Sequence, residues 1–112
     1  MSSLRQKKIN TLLKQELSLI FREESRTVCM GAMVTVTVVN IAPDMTYAKI
    51  YISIFGGKND EEVFENIKRT SGHIRGILGN RLGKSLRRIP NLDFKIDDSI
   101  DYANTIDELL KK

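Results

Sequence analysis

The chain has 112 residues, of which 41% are hydrophobic, so its length favours one modest domain with a single core. It contains no run of about 18 apolar residues, and its first residues lack the compact apolar segment of a signal peptide, so we expect neither a membrane-spanning helix nor secretion. The single cysteine, Cys29, cannot form an internal disulfide and is typical of a reducing compartment. We therefore expect a cytoplasmic protein with one domain over residues 1–112.

The net charge of +4 is unevenly distributed along the chain. Seven basic residues and no acidic one occur between Asn66 and Leu92. These cations are Lys68, Arg69, Arg75, Arg81, Lys84, Arg87 and Arg88. Six of the 14 acidic residues follow this segment directly, between Asp93 and Glu108. A basic block in a chain that is otherwise acidic is typical of a surface that binds a polyanion, although a solvated helix face has the same composition.

The first half of the sequence predicts a helix and a β-hairpin. Between Leu4 and Glu24, apolar residues recur at helical intervals. Ala32 to Ile41 is rich in β-branched residues, and its alternation changes phase at Val38-Val39, as a bulge would cause. From Tyr47 to Phe55 the alternation is strict and predicts a half-buried strand. Its predicted buried face is Ala48, Ile50, Ile52 and Ile54, and its predicted outer face is Lys49, Tyr51 and Ser53.

The second half predicts two helices, a third strand and a last helix. Asn59 with Glu62 three residues later is typical of a helix start, and the apolar stripe that follows is Val63, Phe64 and Ile67. Pro90 ends the next helix, and the alternating residues of the third strand are Leu92, Phe94 and Ile96. Asp97 to Ser99 would cap a helix that carries Ile100, Ile106, Leu109 and Leu110. The order α-β-β-α-α-β-α predicts an α+β domain whose three-stranded sheet is packed by helices.

The segment Ser71–Pro90 combines helical spacing with four of the seven glycines. Taken as one helix, it places Gly72, Gly76, Gly79 and Gly83 in a stripe beside the apolar face. Arg81, Lys84, Arg87 and Arg88 occupy the next sector, and Arg75 lies on the opposite flank. Each glycine inside a helix costs about 0.5 to 1 kcal/mol relative to alanine. We interpret the stripe as a bare groove that admits a sugar-phosphate backbone beside a row of cations.

Single residues in this segment also fit purely structural roles. Gly72 follows Thr70-Ser71 and is typical of a break between two helices, and close packing against another protein helix would also account for the glycines. Gly76 to Gly79 matches the G-x-x-G loop of KH domains, but its two inner residues are apolar. His73 and Cys29 occur once each and do not predict a catalytic dyad, so we expect no enzyme, no metal and no cofactor.

The combination of segments resembles the bacterial ribosome-binding factor A family. The similarity covers nearly the whole chain and is carried by DMTYAKIYIS, SGHIRGILGNRL and LRRIPNLDFKIDDSIDYANTIDELL. It implies a type II KH-like fold in which an interhelical kink, here Thr70, Ser71 and Gly72, replaces the usual glycine loop. It also implies binding to the free small (30S) ribosomal subunit and its 16S rRNA. Members assist late maturation of that subunit, including processing of the rRNA end, and matter most in the cold.

We therefore expect a monomeric RNA-binding assembly factor that acts without catalysis and without a membrane, with other assembly factors as candidate partners. The predicted RNA-binding residues are Arg75, Gly76, Gly79, Arg81, Lys84, Arg87 and Arg88, with Arg5, Lys7 and Lys8 as a second contact on the first helix. Two alternatives stay open. One is a general KH-type regulator that binds isolated single-stranded RNA, and the other is a structural ribosomal protein, which would more often carry a long basic tail.

Overall fold

The computed structural model describes residues 4–56, 59–86 and 88–97. These residues form an α+β fold with three helices and a three-stranded sheet. In chain order the elements are α1 (Leu4–Glu23), β1 (Met33–Ile41), β2 (Tyr47–Phe55), α2 (Asp60–Arg69), α3 (Ser71–Leu82) and β3 (Asn91–Ile96). The predicted last helix falls on residues 98–112, outside the described residues.

The sheet has the strand order β1-β2-β3. β1 and β2 form an antiparallel hairpin whose register shifts between Val36 and Val38, so Thr37 is the bulged residue. The predicted bulge is therefore confirmed, but it precedes Val38 instead of lying at Val38-Val39. The Thr37 hydroxyl donates to the Tyr51 carbonyl at 3.2 Å and to the carboxylate of Asp97, which ties the bulge to the end of β3. β3 runs parallel to β2.

One face of the sheet carries the core. Ala48, Ile50 and Ile52 are fully buried as predicted, and Ile54 is partly buried. Lys49 is exposed on the opposite face. Ser53 was predicted to be exposed there too, but it is only 5% exposed. Its short side chain lines a cavity together with Phe64 of α2 and Asp97.

α1 lies against β1 and supplies much of the core. Its buried apolar residues are Ile9, Leu13, Leu17, Ile20 and Phe21. Near the start of the helix, the Asn10 side-chain oxygen accepts the backbone N–H of Ile41 at 2.8 Å, and Gln6 Nε2 donates to the Ile41 carbonyl at 3.3 Å. Near its end, Phe21 packs edge-on against Phe94 of β3, with ring centroids 5.9 Å apart. The helix is thus fixed to the sheet at both ends.

The boundary between α2 and α3 lies at Thr70. The side chain of Asn59 caps α2 as predicted, because its oxygen accepts the Glu62 N–H at 3.2 Å. Thr70 leaves helical geometry with φ −95° and ψ 13°, and its hydroxyl donates to the Asn66 carbonyl at 2.8 Å. Gly72 lies inside the first turn of α3 and has no positive φ. The break therefore needs no glycine, and Gly72 is not the breaking residue.

α3 ends at Leu82, although the sequence predicted a helix up to Pro90. The backbone N–H groups of Ser85 and Leu86 both donate to the Leu82 carbonyl at 2.9 Å and close the last turn. The chain must leave the helix here because Asn91 has to pair with Tyr47 at the start of β3. Residues 83–90 make that return, so the helical wheel does not describe the positions of Lys84 and Arg88.

Replacing Gly83 by alanine is expected to lower the free energy of unfolding by about 1 to 3 kcal/mol. A Cβ at this position would lie 2.8 Å from the Gly79 carbonyl oxygen, so the turn after α3 would have to shift. Gly76→Ala is the matched control, because a Cβ there meets no atom within 4 Å. It should raise the same free energy by about 0.5 to 1 kcal/mol through helix propensity. Urea unfolding of both variants measures these changes, and equal effects would contradict the packing explanation.

Cys29 is buried between α1 and β1, where its thiol lies 3.6 Å from the Phe21 carbonyl. Burial, together with the negative charge of Glu24, raises the pKa of the thiol to about 11. The unfolded thiol has a pKa of about 8.5, so the unfolded state loses its proton first as the pH rises. The stability that the protonated thiol contributes is therefore complete below about pH 8.5 and declines towards pH 11.

The Cys29→Ala variant should lose this part of the pH dependence. We expect the free energy of unfolding of the parent to fall more steeply than that of the variant between about pH 8.5 and 10.5. Urea unfolding at three pH values in this range measures the difference, and the variant supplies the contribution of all other titrating groups. Parallel curves for the two proteins would show that the thiol is not held protonated.

Candidate nucleic-acid interface

The outward face of α3 is small and polar. The helix buries Ile74, Leu78 and Leu82 in the core. Its opposite side exposes Gly72, His73, Gly76 and Asn80. A Cβ at Gly72 or Gly76 would meet no atom within 4 Å, so the space above these two glycines is open. The carboxylate of Glu24 lies beside this face, 3.5 Å from His73 Nε2.

The other two glycines do not continue this open surface. A Cβ at Gly79 would lie 3.5 Å from the Ile89 side chain, because the returning segment passes over this position. A Cβ at Gly83 would meet the Gly79 carbonyl. The predicted stripe of four glycines is thus divided into two that face open space and two that pack against the chain itself.

Arg75 holds the returning segment against α3. Its Nε donates to the Pro90 carbonyl at 3.2 Å, and its Nη2 donates to the Ile89 carbonyl at 2.8 Å. Hydrogen bonds from a charged donor are stronger than neutral ones, so this contact fixes where the segment before β3 lies. The helical wheel placed Arg75 on the opposite flank from the other cations. In the structure, Arg75 therefore positions another segment of the chain.

Arg81 joins α3 to α1. Its guanidinium forms ion pairs with Glu23 and, at 3.7 Å, with Glu16. Both carboxylates lie on α1, and the Arg81 side chain is 30% exposed. Two nearby negative charges offset the charge of Arg81, so it contributes little positive potential at the surface.

The remaining cations of the basic segment differ in their surroundings. Lys84 is exposed in the turn after α3, and Arg69 is exposed at the end of α2; neither has an ion pair within the described residues. Arg88 is exposed near the turn between β1 and β2. There, hydrogen bonds from Thr46 and, to a smaller extent, the charge of Arg88 hold the pKa of Asp44 below its ordinary value. Arg87 lies outside the described residues.

The cations predicted on α1 are all exposed. Arg5, Lys7 and Lys8 lie in its first two turns, and within the described part of the chain no carboxylate pairs with them. Sequence reasoning missed two further exposed cations of the same helix, Lys14 and Arg22. The available signal was their spacing: Lys14 follows Lys7 by seven residues, and Arg22 follows Lys14 by eight. Both intervals are about two helical turns and return to the same side of a helix.

The described residues contain no group of three or more His, Cys, Asp or Glu side chains that could hold a metal ion. None of the three helices described is long and apolar enough to cross a membrane.

Comparisons with known proteins identify one family. A family model described as Ribosome-binding factor A matches residues 5–110. A relative from Clostridium botulinum with the same name is 42% identical over 114 residues, which cover 100% of this chain and 97% of the relative. The crystal structure of ribosome-binding factor A from Thermus thermophilus matches with a TM-score of 0.68 and 20% identity over 81% of this chain and 94% of that one. A homology model of the Thermus factor, fitted into a cryo-EM map of its 30S complex, matches with a TM-score of 0.52 and 18% identity over 73% of this chain and 96% of that one.

Replacing Arg75 by methionine should lower the free energy of unfolding by about 1 to 3 kcal/mol, because two charge-assisted hydrogen bonds to Ile89 and Pro90 are lost. Lys84→Met removes the same charge from a side chain without an ion pair among the described residues, and it should change this free energy by less than about 0.5 kcal/mol. Urea unfolding compares the two. If Arg75→Met were as stable as the control, the hydrogen bonds to the returning segment would not matter in solution.

Proposed function

The chain belongs to the ribosome-binding factor A family, and we propose that it binds the free 30S ribosomal subunit and assists the late maturation of its 16S rRNA. The observation that carries this proposal is the family match over residues 5–110. The fitted 30S complex of the Thermus relative supports the same partner. We include processing of the rRNA end in the proposed role. Ribosomal subunits mature in the bacterial cytoplasm, which is the location that this role requires.

The proposed architecture is a single type II KH-like domain over residues 1–112. The helix pair α2 and α3, with its boundary at Thr70, supports this assignment because it occupies the place of the interhelical kink at Thr70, Ser71 and Gly72. We propose that the protein acts as a monomer and by binding alone. Other assembly factors remain candidate partners.

The proposed RNA contact on this side of the molecule is the open face of α3 and the turn that follows it. Gly72 and Gly76 leave the helix backbone accessible, and Lys84 supplies an exposed charge directly after the helix. Arg88 extends the positive surface. Its place in the chain is held by Arg75, which binds the carbonyls of Ile89 and Pro90, the two residues after Arg88. Phosphate oxygens are the groups that such exposed cations bind.

Three residues of the predicted site have a different part in this proposal. Arg75 and Arg81 already have acceptors within the chain, so they position the returning segment and α1. Gly79 packs beside Ile89 and supports the same segment. Arg5, Lys7 and Lys8 stay a proposed second contact, because their exposed charges lie on a different helix.

Sedimentation of tagged protein through a gradient that resolves ribosomal particles tests the proposed function. We expect the protein to comigrate with free small subunits and not with complete ribosomes. A general regulator of other RNAs would remain outside the ribosomal fractions and bind isolated single strands. A structural ribosomal protein would be retained in complete ribosomes, which would equally contradict the proposal.

The variant Lys84→Gln/Arg88→Gln should bind small subunits at least several-fold more weakly than the parent, because two exposed charges are removed from the proposed contact. For the parent, four or five phosphate contacts predict a slope of about −3 to −4 for log affinity against log salt. Lys49→Gln/Lys95→Gln removes the same charge from strands β2 and β3 and is the matched control. Equal affinity of the two variants would discard the surface at α3, even if the protein binds subunits.

A further inference from the structure

A row of cations runs along the outward side of α1. Lys7, Lys14 and Arg22 are spaced by seven and eight residues, which is about two helical turns each, so they lie along one side of the helix. All three are exposed. No carboxylate among the described residues forms an ion pair with any of them. At a rise of about 1.5 Å per residue, the row is about 22 Å long.

Short side chains separate these cations. Thr11 and Ser18 donate their hydroxyls back to the helix, to the carbonyls of Lys7 at 3.1 Å and Lys14 at 2.7 Å. Both side chains therefore stay close to the helix backbone. Together with Lys14 and Arg22 they border a shallow depression of about 730 Å³, which leaves room for a chain to approach α1 between the charges. Glu16, whose carboxylate is paired with Arg81, also lines this depression.

The two acidic residues inside α1 do not cancel this charge. Glu16 and Glu23 lie on the flank of α1 that faces α3, where both form ion pairs with Arg81. Arg81 offsets one of these two negative charges, so the five basic residues of α1 outnumber the one that remains and keep the outward side positive. On that side, Arg22 and Ser18 border a second depression together with Met33 and Thr35 of β1. The end of the row at Arg22 thus lies beside β1.

We propose that Lys7, Lys14 and Arg22 bind the phosphate backbone of a second rRNA segment, so that the protein bridges two segments of the small subunit. The inference rests on the proposed function and extends it to a surface beyond α3. The row lies on a different helix from the α3 face and is about 22 Å long, so it offers cations for a separate stretch of phosphates. Leu19 is the one large apolar residue in the depression, whereas a protein interface would need an apolar core, so the chemistry favours phosphate.

The test compares two variants that remove the same amount of charge. One is Lys7→Gln/Lys14→Gln/Arg22→Gln on α1, and the control is Lys49→Gln/Lys68→Gln/Lys95→Gln on the sheet and α2. All six side chains are exposed, and thermal unfolding verifies that both variants fold. Hydroxyl-radical footprinting of the 16S rRNA in small subunits is measured with the parent and each variant. The salt dependence of affinity is measured on the same complexes.

We expect the parent to protect two separate rRNA segments and the α1 variant to lose the protection of one of them. Loss of three phosphate contacts should also make the slope of log affinity against log salt less steep by about 2 to 3. The control should keep both protections. If the α1 variant also keeps both, with the slope of the control, the inference is wrong and the proposed function is unaffected.

Two other results would overturn the inference in different ways. If the α1 variant loses affinity while every rRNA protection persists, the row binds an acidic surface of a ribosomal protein. If the parent protects no rRNA at all, the proposed function itself fails and the bridging role fails with it. The first result appears only when the α1 variant is compared with the parent, whereas the second appears in the parent alone. The two failures are therefore distinguishable.

Discussion

The parallel pairing of β3 with β2 is the constraint on which the rest of the structure depends. A parallel neighbour cannot be reached through a tight turn, so the chain must travel back along the sheet before β3 begins. α2 and α3 make that passage, and residues 83–90 bring Asn91 beside Tyr47. The candidate surface at α3 is built on this connection. The contacts that hold the connection, above all the hydrogen bonds of Arg75, therefore also determine where the exposed cations around it lie.

Partners within the chain decide which positive charges reach the surface. Formal charge gives every cation of the basic segment equal weight, but Arg75 binds backbone carbonyls and Arg81 binds two carboxylates of α1. The same ion pairs offset one of the two negative charges of α1. Positive potential is therefore reduced on the flank where α1 and α3 meet and remains on the outward side of α1 and at Lys84. The fold thus forms two separate basic surfaces, one on α1 and one around Lys84. In the sequence, the first is a few scattered cations and the second is part of one basic segment.

Local patterns predicted the elements well, because alternation and helical spacing arise from burial on one face. Strict alternation identified the buried apolar residues of β2 but missed Ser53, and the change of phase located the bulge of β1 to within two residues. The same signal failed at the end of α3. Leu86 and Ile89 continue the helical spacing and pack against the core, but they do so from the returning segment. The spacing therefore predicted correctly that Leu86 and Ile89 are packed against the core, but it predicted incorrectly that they lie in a helix. The ion pair of Arg81 with Glu23 joins residues 58 positions apart, and no local pattern contains that information.

The glycines of α3 show the same distinction between a pattern and its causes. Gly83 has a steric reason within the fold, since a Cβ there would lie 2.8 Å from a carbonyl of the preceding turn, whereas a Cβ at Gly79 would make an ordinary contact with Ile89 at 3.5 Å. Gly72 and Gly76 have helical backbone and open space above them, so alanine would fit at both and would favour the helix. The buried residues of α3 hold the helix in place despite this cost. The proposed RNA contact at α3 would give these two glycines a role that no contact among the described residues gives them.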